Sequence, residues 1–299
     1  MELSDYEINK LIEAGKIAKK VLKNASKIVK PGTPIIEICN ELENMIIKLG
    51  GKPAFPCNVS VNEIAAHYSS PIGDESIIPE NSLVKIDIGV HVDGFIADTA
   101  KTFIFNSEYI DLVEAAEKAL ENAISAIKPG VEIRRVSSII EQTIKRYGYK
   151  PIKNLSGHLM KQYLLHGGKS VPNVVENYNE EFLEGEVYAI EPFSTNGAGM
   201  VEDTDQVYIY GFIKIRGAEN KFEKSLLKTI RTRFRNLPFS ERWLTDVFPP
   251  NKVKNAIHKL AEKGALHSYP VLKELANGMV AQAEHTIIVL RDGALITTN

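Results

Sequence analysis

The sequence predicts an α+β protein made of two related halves, with a small helical insert in the second half. Three observations lead to this prediction. Amphipathic helices alternate with apolar strands, one part of the chain is repeated in another, and one block differs from the rest in charge. A chain of 299 residues suits one large domain that carries an insert. We therefore assign the main domain to residues 1–211 and 275–299 and the insert to residues 212–274.

Four long helices account for most of the predicted helical content of the main domain. The first is predicted at residues 4–29, because Ser4 and Glu7 form a capping box and apolar residues then recur at helical spacing. The other three have the same amphipathic pattern, and they are expected at residues 34–49, 108–127 and 133–147.

An internal repeat relates the two halves. Residues 30–53 align without a gap to residues 128–151 at an offset of 98, and residues 78–87 align to residues 182–191 at an offset of 104. The second alignment pairs an acid with an acid at the end of an apolar strand. Chance similarity between two helix–loop–strand units is the alternative, but this pairing favours duplication. Related halves are expected to pack about a pseudo-twofold axis and to place acidic residues from each half in the cleft between them.

The strands that follow the helices include one strong hairpin signal. Asp93-Gly94 separates two apolar runs, at residues 83–92 and 95–105, and favours a two-residue turn. In that register Gly89 faces Asp98, and Asp87 lies two residues further along the same face. The two carboxylates are therefore diagonal neighbours. Further strands are predicted at residues 187–193 and 284–290.

Acidic residues adjoin apolar strands at four places. Asp87 and Asp98 are either solvated on an open sheet face or buried, and burial requires protonation or a cation between them. Glu191 and Glu284 also lie at the ends of apolar runs, and His158 lies beside a glycine. Each alone is typical of an edge strand or a loop. Together they offer four negative charges and one imidazole, which two divalent ions such as Mn, Fe, Co or Zn would balance.

Charge and cysteine usage restrict the class of protein. The formal net charge is -2, yet residues 212–274 contain 14 Lys or Arg and 6 Asp or Glu, so the insert is basic and the remainder is acidic. Cys39 and Cys57 belong to no CxxC pattern, which argues against a disulfide scaffold or a structural zinc site. The N-terminal segment carries charges throughout, and no apolar run approaches the length of a membrane span. We expect a cytoplasmic protein with no membrane partner.

Several segments together resemble methionine aminopeptidases of type 2, in the short form found in archaea. The matching segments are AAHYSS, KIDIGVHVDGFIADTA, SGHLMKQYLLHGG, YAIEPFSTNGAG, LPFSERW and GMVAQAEHTIIV. Each motif is short, but their joint pattern is specific and covers essentially the whole chain. The resemblance implies the pita-bread fold, which is shared with prolidases and creatinases.

The resemblance also implies a ligand set and catalytic roles. The residues that would hold two divalent ions are Asp87, Asp98, His158, Glu191 and Glu284. Asp98 and Glu284 would bridge both ions, and Glu191 would also act as the general base. His166 would hydrogen-bond the substrate carbonyl oxygen, and His67 would contact the scissile amide. Without the resemblance, both histidines would be interpreted as ordinary loop residues.

The implied activity is removal of the initiator methionine from nascent polypeptides whose second residue is small. An apolar pocket for the methionine side chain is expected around Phe55, Pro56, Ile96 and Leu165. An Xaa-Pro aminopeptidase or prolidase-like metallopeptidase would use the same ligands, but such enzymes lack this helical insert. A non-catalytic pita-bread module that binds RNA or protein is the second alternative. Retention of all five ligands argues against it.

The basic insert raises the possibility of a second partner. The residues that could contact ribosomal RNA transiently are Lys224, Lys228, Arg231, Arg233 and Arg235. A solvated helix face is the simpler interpretation of the same pattern. The resemblance further implies a monomer.

Overall fold

The structure is a computed structural model that describes residues 3–299 of the chain. Within that range it contains six α-helices: α1 (Asp5–Ile28), α2 (Ile35–Lys48), α3 (Ile110–Ala126), α4 (Ile133–Arg146), α5 (Lys221–Phe234) and α6 (Pro250–Glu262). None of these helices is long and apolar enough to cross a membrane.

Fifteen β-strands connect these helices within the same described range. They are β1 (Lys52–Val61), β2 (Ile64–Ala66), β3 (Leu83–Val92), β4 (Phe95–Ile104), β5 (Lys150–Pro151), β6 (Ser156–Met160), β7 (Ser170–Pro172), β8 (Val187–Ile190), β9 (Phe193–Thr195), β10 (Val201–Phe212), β11 (Phe239–Ser240), β12 (Leu266–Glu274), β13 (Val280–Gln282), β14 (His285–Leu290) and β15 (Gly293–Ile296).

The first helix begins where the sequence predicts. The Ser4 hydroxyl accepts a hydrogen bond from the backbone N–H of Glu7, and the Glu7 carboxylate accepts one from the backbone N–H of Ser4. Reciprocal capping satisfies two N–H groups that have no partner inside the helix. The apolar stripe of α1 then packs against β3 and β4.

The internal repeat is visible as repeated structure. Helices α2 and α4 begin and end at positions related by the offset of 98, and β3 and β8 begin at positions related by the offset of 104. The N–H of Gly32 donates to the carbonyl of Ile78 at 2.8 Å, and the equivalent N–H of Gly130 donates to the carbonyl of Phe182 at 2.9 Å. Equivalent bonds at equivalent positions support an origin by duplication.

Each half has its own sheet and apolar core. In the first half, α1 and α2 cover the sheet β1-β3-β4, and in the second half α3 and α4 pack over the sheet β15-β14-β8-β6-β7 and the neighbouring short strands. The two halves meet where Lys101 pairs with Ala283 and where the N–H of Glu284 donates to the carbonyl of Ala100 at 3.1 Å. The predicted α+β class is confirmed, and the junction of the halves is the place where the acidic strand ends converge.

The predicted helical insert contains two helices, but it ends in a strand. Helices α5 and α6 bury a separate apolar cluster that includes Leu226, Ile230 and Ile257. They connect β10 to β12, which form a long antiparallel pair. The last nine residues of the segment 212–274 therefore form β12 rather than helix. The boundaries of the insert as a domain stay a prediction.

Candidate active site

Two of the predicted ligands come from the β3–β4 hairpin. Asp93 and Gly94 form its turn with φ angles of 53° and 89°, and Gly89 pairs with Asp98 as the predicted register requires. Both turn residues adopt the left-handed conformation that a tight hairpin needs. Asp98 is buried and Asp87 is half-buried. The hairpin therefore presents two carboxylates on one face, near the middle of its length.

The other three predicted ligands come from neighbouring strands of the second half. His158 lies in β6, Glu191 directly follows β8 and Glu284 directly precedes β14, and these three strands are adjacent in the sheet. The His158 Nε2 atom lies 3.6 Å from Asp98 Oδ2 and 3.6 Å from Glu191 Oε1. Ligand atoms of Asp98, His158 and Glu284 all lie within 4.8 Å of one another. The structure thus brings predicted ligands from both halves into one cluster.

Gln282 connects the remaining two acids, although the sequence analysis did not identify it. Its Nε2 atom donates to Asp87 Oδ2 and to Glu191 Oε2, at 3.4 Å in each case. Gln282 is buried and lies two residues before Glu284. Alternate residues of an extended segment share a face, so this spacing is the signal that could have found it. One amide nitrogen therefore joins a carboxylate of the first half to one of the second.

The surroundings of the four acids favour the protonated, uncharged form of each carboxyl group. Burial raises the pKa of Asp87 to about 7. Burial, and then the charges of the neighbouring acids, raise the pKa values of Asp98, Glu191 and Glu284 well above their usual range. Burial lowers the pKa of His158, which keeps its imidazole neutral. Four acids packed this closely need either protons or cations.

The unpaired atoms of the cluster fit divalent cations. Asp87 Oδ1, Asp98 Oδ1 and Glu284 Oε2 are buried and accept no hydrogen bond from the part of the chain that the structure describes. A buried polar atom without a partner is unfavourable, and a carboxylate oxygen is a hard ligand. Four carboxylates with one imidazole form a donor set suited to Mn, Fe, Co or Zn.

A cavity of about 340 Å³ lies over this cluster, and both remaining predicted histidines line it. His67 follows β2 with a φ angle of 66°, and its Nδ1 atom lies 3.0 Å from the carbonyl oxygen of Pro270. That nitrogen therefore donates, which leaves Nε2 as an acceptor. The ring of His166 lies 4.6 Å from the ring of His158. Burial lowers the pKa of His67 and lowers that of His166 to about 4.

Aromatic and aliphatic side chains form the rest of the cavity wall. Of the four residues predicted for a methionine pocket, Phe55 and Leu165 line the cavity, whereas Pro56 and Ile96 are absent from the lining. Pro56 lies between the lining residues Phe55 and Asn58, in the part of β1 where the pairing with β3 is irregular. Ile96 is buried in an apolar cluster beside Phe55. Tyr269 was not anticipated, and its ring centroid lies 5.8 Å from that of His67.

Comparison with known proteins identifies the class to which this fold and site belong. The pattern of metallopeptidase family M24 matches residues 9–227. The chain belongs to metallopeptidase family M24. A methionine aminopeptidase of Pyrococcus horikoshii is 46% identical over 296 residues, which cover 98% of this chain and 99% of that one.

Two solved structures share the fold at low sequence identity. A thermophilic Arx1 gives a TM-score of 0.85 at 20% identity, covering 99% of this chain and 91% of that chain. A methionine aminopeptidase of Thermotoga maritima gives a TM-score of 0.73 at 22% identity, covering 100% of this chain and 99% of that chain. These similarities concern the fold, and they confirm the predicted pita-bread architecture.

Proposed function

We propose that this chain is a metal-dependent methionine aminopeptidase that removes the N-terminal methionine from nascent polypeptides whose second residue is small. The observation that carries the proposal is the group of four carboxylates and one imidazole, the five predicted metal ligands, which line one cavity together with His67 and His166. The relative from Pyrococcus horikoshii, which is similar over almost its whole length, supports it.

The proposed reaction begins with the acidic cluster. Two divalent ions held by Asp87, Asp98, His158, Glu191 and Glu284 would polarise the substrate carbonyl and lower the pKa of water. Glu191 accepts the proton of the attacking water and delivers it to the leaving amine. The Nδ2 atom of Asn173 donates to the Glu191 backbone carbonyl at 3.3 Å, and Gln282 donates to its carboxylate, so the base is held from both ends.

The two histidines act on the peptide bond as neutral groups. Because burial lowers the pKa of both, neither carries a charge near pH 7. His166 donates a hydrogen bond to the carbonyl oxygen as that oxygen gains charge. His67 is held by Pro270 with Nε2 as an acceptor, which suits a contact with the N–H of the scissile amide.

The cavity wall explains the proposed preference for methionine. Apolar rings and aliphatic groups from Phe55, Leu165, Phe193, Ile209 and Tyr269 surround the space above the acids. Burial of a methionine side chain there contributes about 2 kcal/mol. Because Tyr269 and His67 limit the space beside the scissile bond, we expect only a small second residue to fit.

The direct test compares two peptides with one enzyme. The protein is stripped with a chelator and assayed on Met-Ala-Ser and Met-Glu-Ser, before and after addition of Mn or Co. We expect metal to restore cleavage of Met-Ala-Ser and to leave Met-Glu-Ser largely intact. Cleavage without metal, or equal cleavage of both peptides, would falsify the proposal.

The same assay separates the two alternatives. Preferred release of a residue that precedes proline would favour the Xaa-Pro aminopeptidase or prolidase-like function. No cleavage of any peptide by protein that has bound metal would favour the non-catalytic binding module.

A finer proposal concerns the ribosome, and the basic insert supports it. Lys224, Lys228 and Arg231 are exposed and recur along one face of α5. Arg233 is engaged by Asp246 at 2.7 Å, and Arg235 stacks over the ring of Tyr163 at 3.9 Å. The first three are therefore the residues that we propose for transient contact with ribosomal RNA.

Ribosome co-sedimentation at several salt concentrations tests this contact. We expect K224E/K228E/R231E to abolish a salt-sensitive association. K16E/K20E/K23E is a matched control, because it reverses three exposed lysines at the same spacing on α1. Equal ribosome binding by the two variants would contradict the proposed contact with ribosomal RNA. The cytoplasmic location and the monomeric state stay predictions.

A further inference from the structure

A buried ion pair ties the insert to the first half of the molecule. Glu43 of α2 and Arg242 of the insert form two hydrogen bonds, at 2.9 and 3.1 Å, and their side chains are only 7% and 8% exposed. The Nε1 atom of Trp243 also donates to Glu43, at 2.8 Å. We call these three residues the insert latch. Removal of two charges from water carries a desolvation penalty, so a buried ion pair often contributes little to the stability of the fold. The insert latch is therefore expected to have another role.

The latch reaches the cavity wall through two backbone atoms. The N–H of Cys57 donates to Glu43 Oε1 at 3.1 Å. Cys57 lies in the part of β1 where the pairing with β3 is irregular, between the lining residues Phe55 and Asn58. Where the regular ladder is interrupted, the bond to Glu43 is one of the contacts that hold this segment.

On its other side, the latch holds the chain that follows His67. The Nε atom of Arg242 donates to the backbone carbonyl of Ser70 at 2.6 Å, three residues beyond His67. His67 itself has a positive φ angle, a conformation that persists only where surrounding contacts enforce it.

The insert contributes its own piece of wall a few residues before the latch. Pro238 lines the cavity, and the next two residues form β11, in which Ser240 pairs with Ile209. Ile209 also lines the cavity, so this strand pairing connects the insert beside the latch directly to the cavity wall. The carboxylate of Glu43 and the guanidinium of Arg242 therefore link three parts of the cavity wall. These parts belong to β1, to the segment after His67 and to the insert.

We propose that Glu43 and Arg242 are positioning residues that determine substrate specificity by setting the width of the cavity for the first side chain of the peptide. They touch neither the substrate nor the metal ligands, and they act through Phe55, Pro238 and the segment after His67. This inference rests on the proposed function and deepens it. A mismatch of about one methylene in an apolar pocket changes selectivity by about tenfold or more, so a small displacement of one wall is measurable.

The test uses E43Q/R242M, which removes both charges together and leaves neither buried without a partner. KM and kcat are measured on Met-Ala-Ser and on Leu-Ala-Ser, together with metal content and the unfolding midpoint. We expect normal metal content, a KM for Met-Ala-Ser raised about tenfold with a smaller change in kcat, and a preference for methionine over leucine reduced about tenfold. R242K, which keeps the charge but loses the planar fork, should lie between this variant and the wild type.

R233M/D246N is the matched control, because it removes an exposed ion pair from the same insert and should match the wild type. A folded, metal-replete E43Q/R242M with an unchanged KM and an unchanged preference overturns the inference. If that variant does not fold, R242K with wild-type selectivity overturns it. Failure of the wild type itself to cleave Met-Ala-Ser removes the proposed function and this inference with it.

Discussion

The hydroxyl of Thr286 holds both backbone groups of Asp98. It accepts from the Asp98 N–H at 2.7 Å and donates to the Asp98 carbonyl at 2.8 Å. Thr286 belongs to β14 of the second half, whereas Asp98 belongs to β4 of the first. A proposed metal ligand is therefore anchored to the opposite half by a side chain, independently of any cation.

Replacement of this hydroxyl tests the anchor. T286V keeps the shape of the side chain but leaves the N–H and carbonyl of Asp98 buried without these partners. We expect the free energy of unfolding to fall by about 2 to 4 kcal/mol, measured in denaturant after chelation, and Mn affinity to fall as well. T286S keeps the hydroxyl and should lose only about 1 kcal/mol. Equal losses in both variants would contradict the anchoring role.

Substitutions of the three histidines of the site are expected to have two different effects, on activity alone or on metal content. H67A and H166A should lower kcat/KM by about 100-fold or more and leave two metal ions per chain. H158A should instead lower the metal content, because it removes a proposed ligand. Titration of the stripped variants with Mn, measured calorimetrically beside activity, distinguishes these results. Metal loss in H67A or H166A would show that catalytic and ligating roles have been confused.

Gln282 is expected to support metal binding without contacting the ions. Q282L removes the amide that donates to Asp87 and Glu191, so the two carboxylates lose their orientation. We expect Mn affinity to fall by roughly tenfold, since partners of metal ligands typically contribute 10- to 100-fold. Calorimetry of the stripped protein measures the change, with Q142L on the exposed face of α4 as control. Unaltered affinity in Q282L would exclude this role.

His91 is expected to make stability depend on pH. Burial lowers its pKa to about 4, and its Nδ1 atom accepts from the N–H of Gly94 at 3.1 Å. Between pH 6.5 and pH 4 the unfolded chain binds a proton that the folded chain does not, so stability falls as the pH falls through this window.

H91Q removes this contribution. The stability advantage of the wild type over H91Q should shrink by about 2 to 3 kcal/mol between pH 7 and pH 4, as measured by chemical denaturation. A constant difference across that window would show that the imidazole takes up its proton in both states alike.

Local sequence patterns predicted those elements of the fold that are determined by residues close together in the sequence. The Asp93-Gly94 turn fixed the hairpin register, and the paired Gly89 and Asp98 follow from it. The repeat offset of 98 relates both ends of α2 to both ends of α4, and the predicted bounds of these helices lie within one residue of the observed ones. The strand predicted at residues 187–193 is instead interrupted after Ile190, because Pro192 has no N–H to donate to a ladder.

Contacts between residues that are far apart in the sequence could not be predicted from local sequence patterns. Glu43 and Arg242 lie 199 positions apart, and no periodicity links them. The strand β12 was not predicted, and Pro270 within it is a residue type that argues against a strand. Pro270 is tolerated because that part of the β10–β12 pairing is irregular. The strand-end acids and His158 could be grouped as a metal site from the sequence, but only the family resemblance assigned a role to each of the five proposed ligands.

The division of the acidic cluster between two halves has a consequence during translation. A chain is made from its N-terminus, so Asp87 and Asp98 emerge early and Glu284 emerges last. Until β14 has been synthesised and has packed against β4, Asp87 and Asp98 lack Glu284, which is the last of the five proposed metal ligands to be synthesised. The growing polypeptide therefore lacks a complete set of the proposed metal ligands until its final strands are in place.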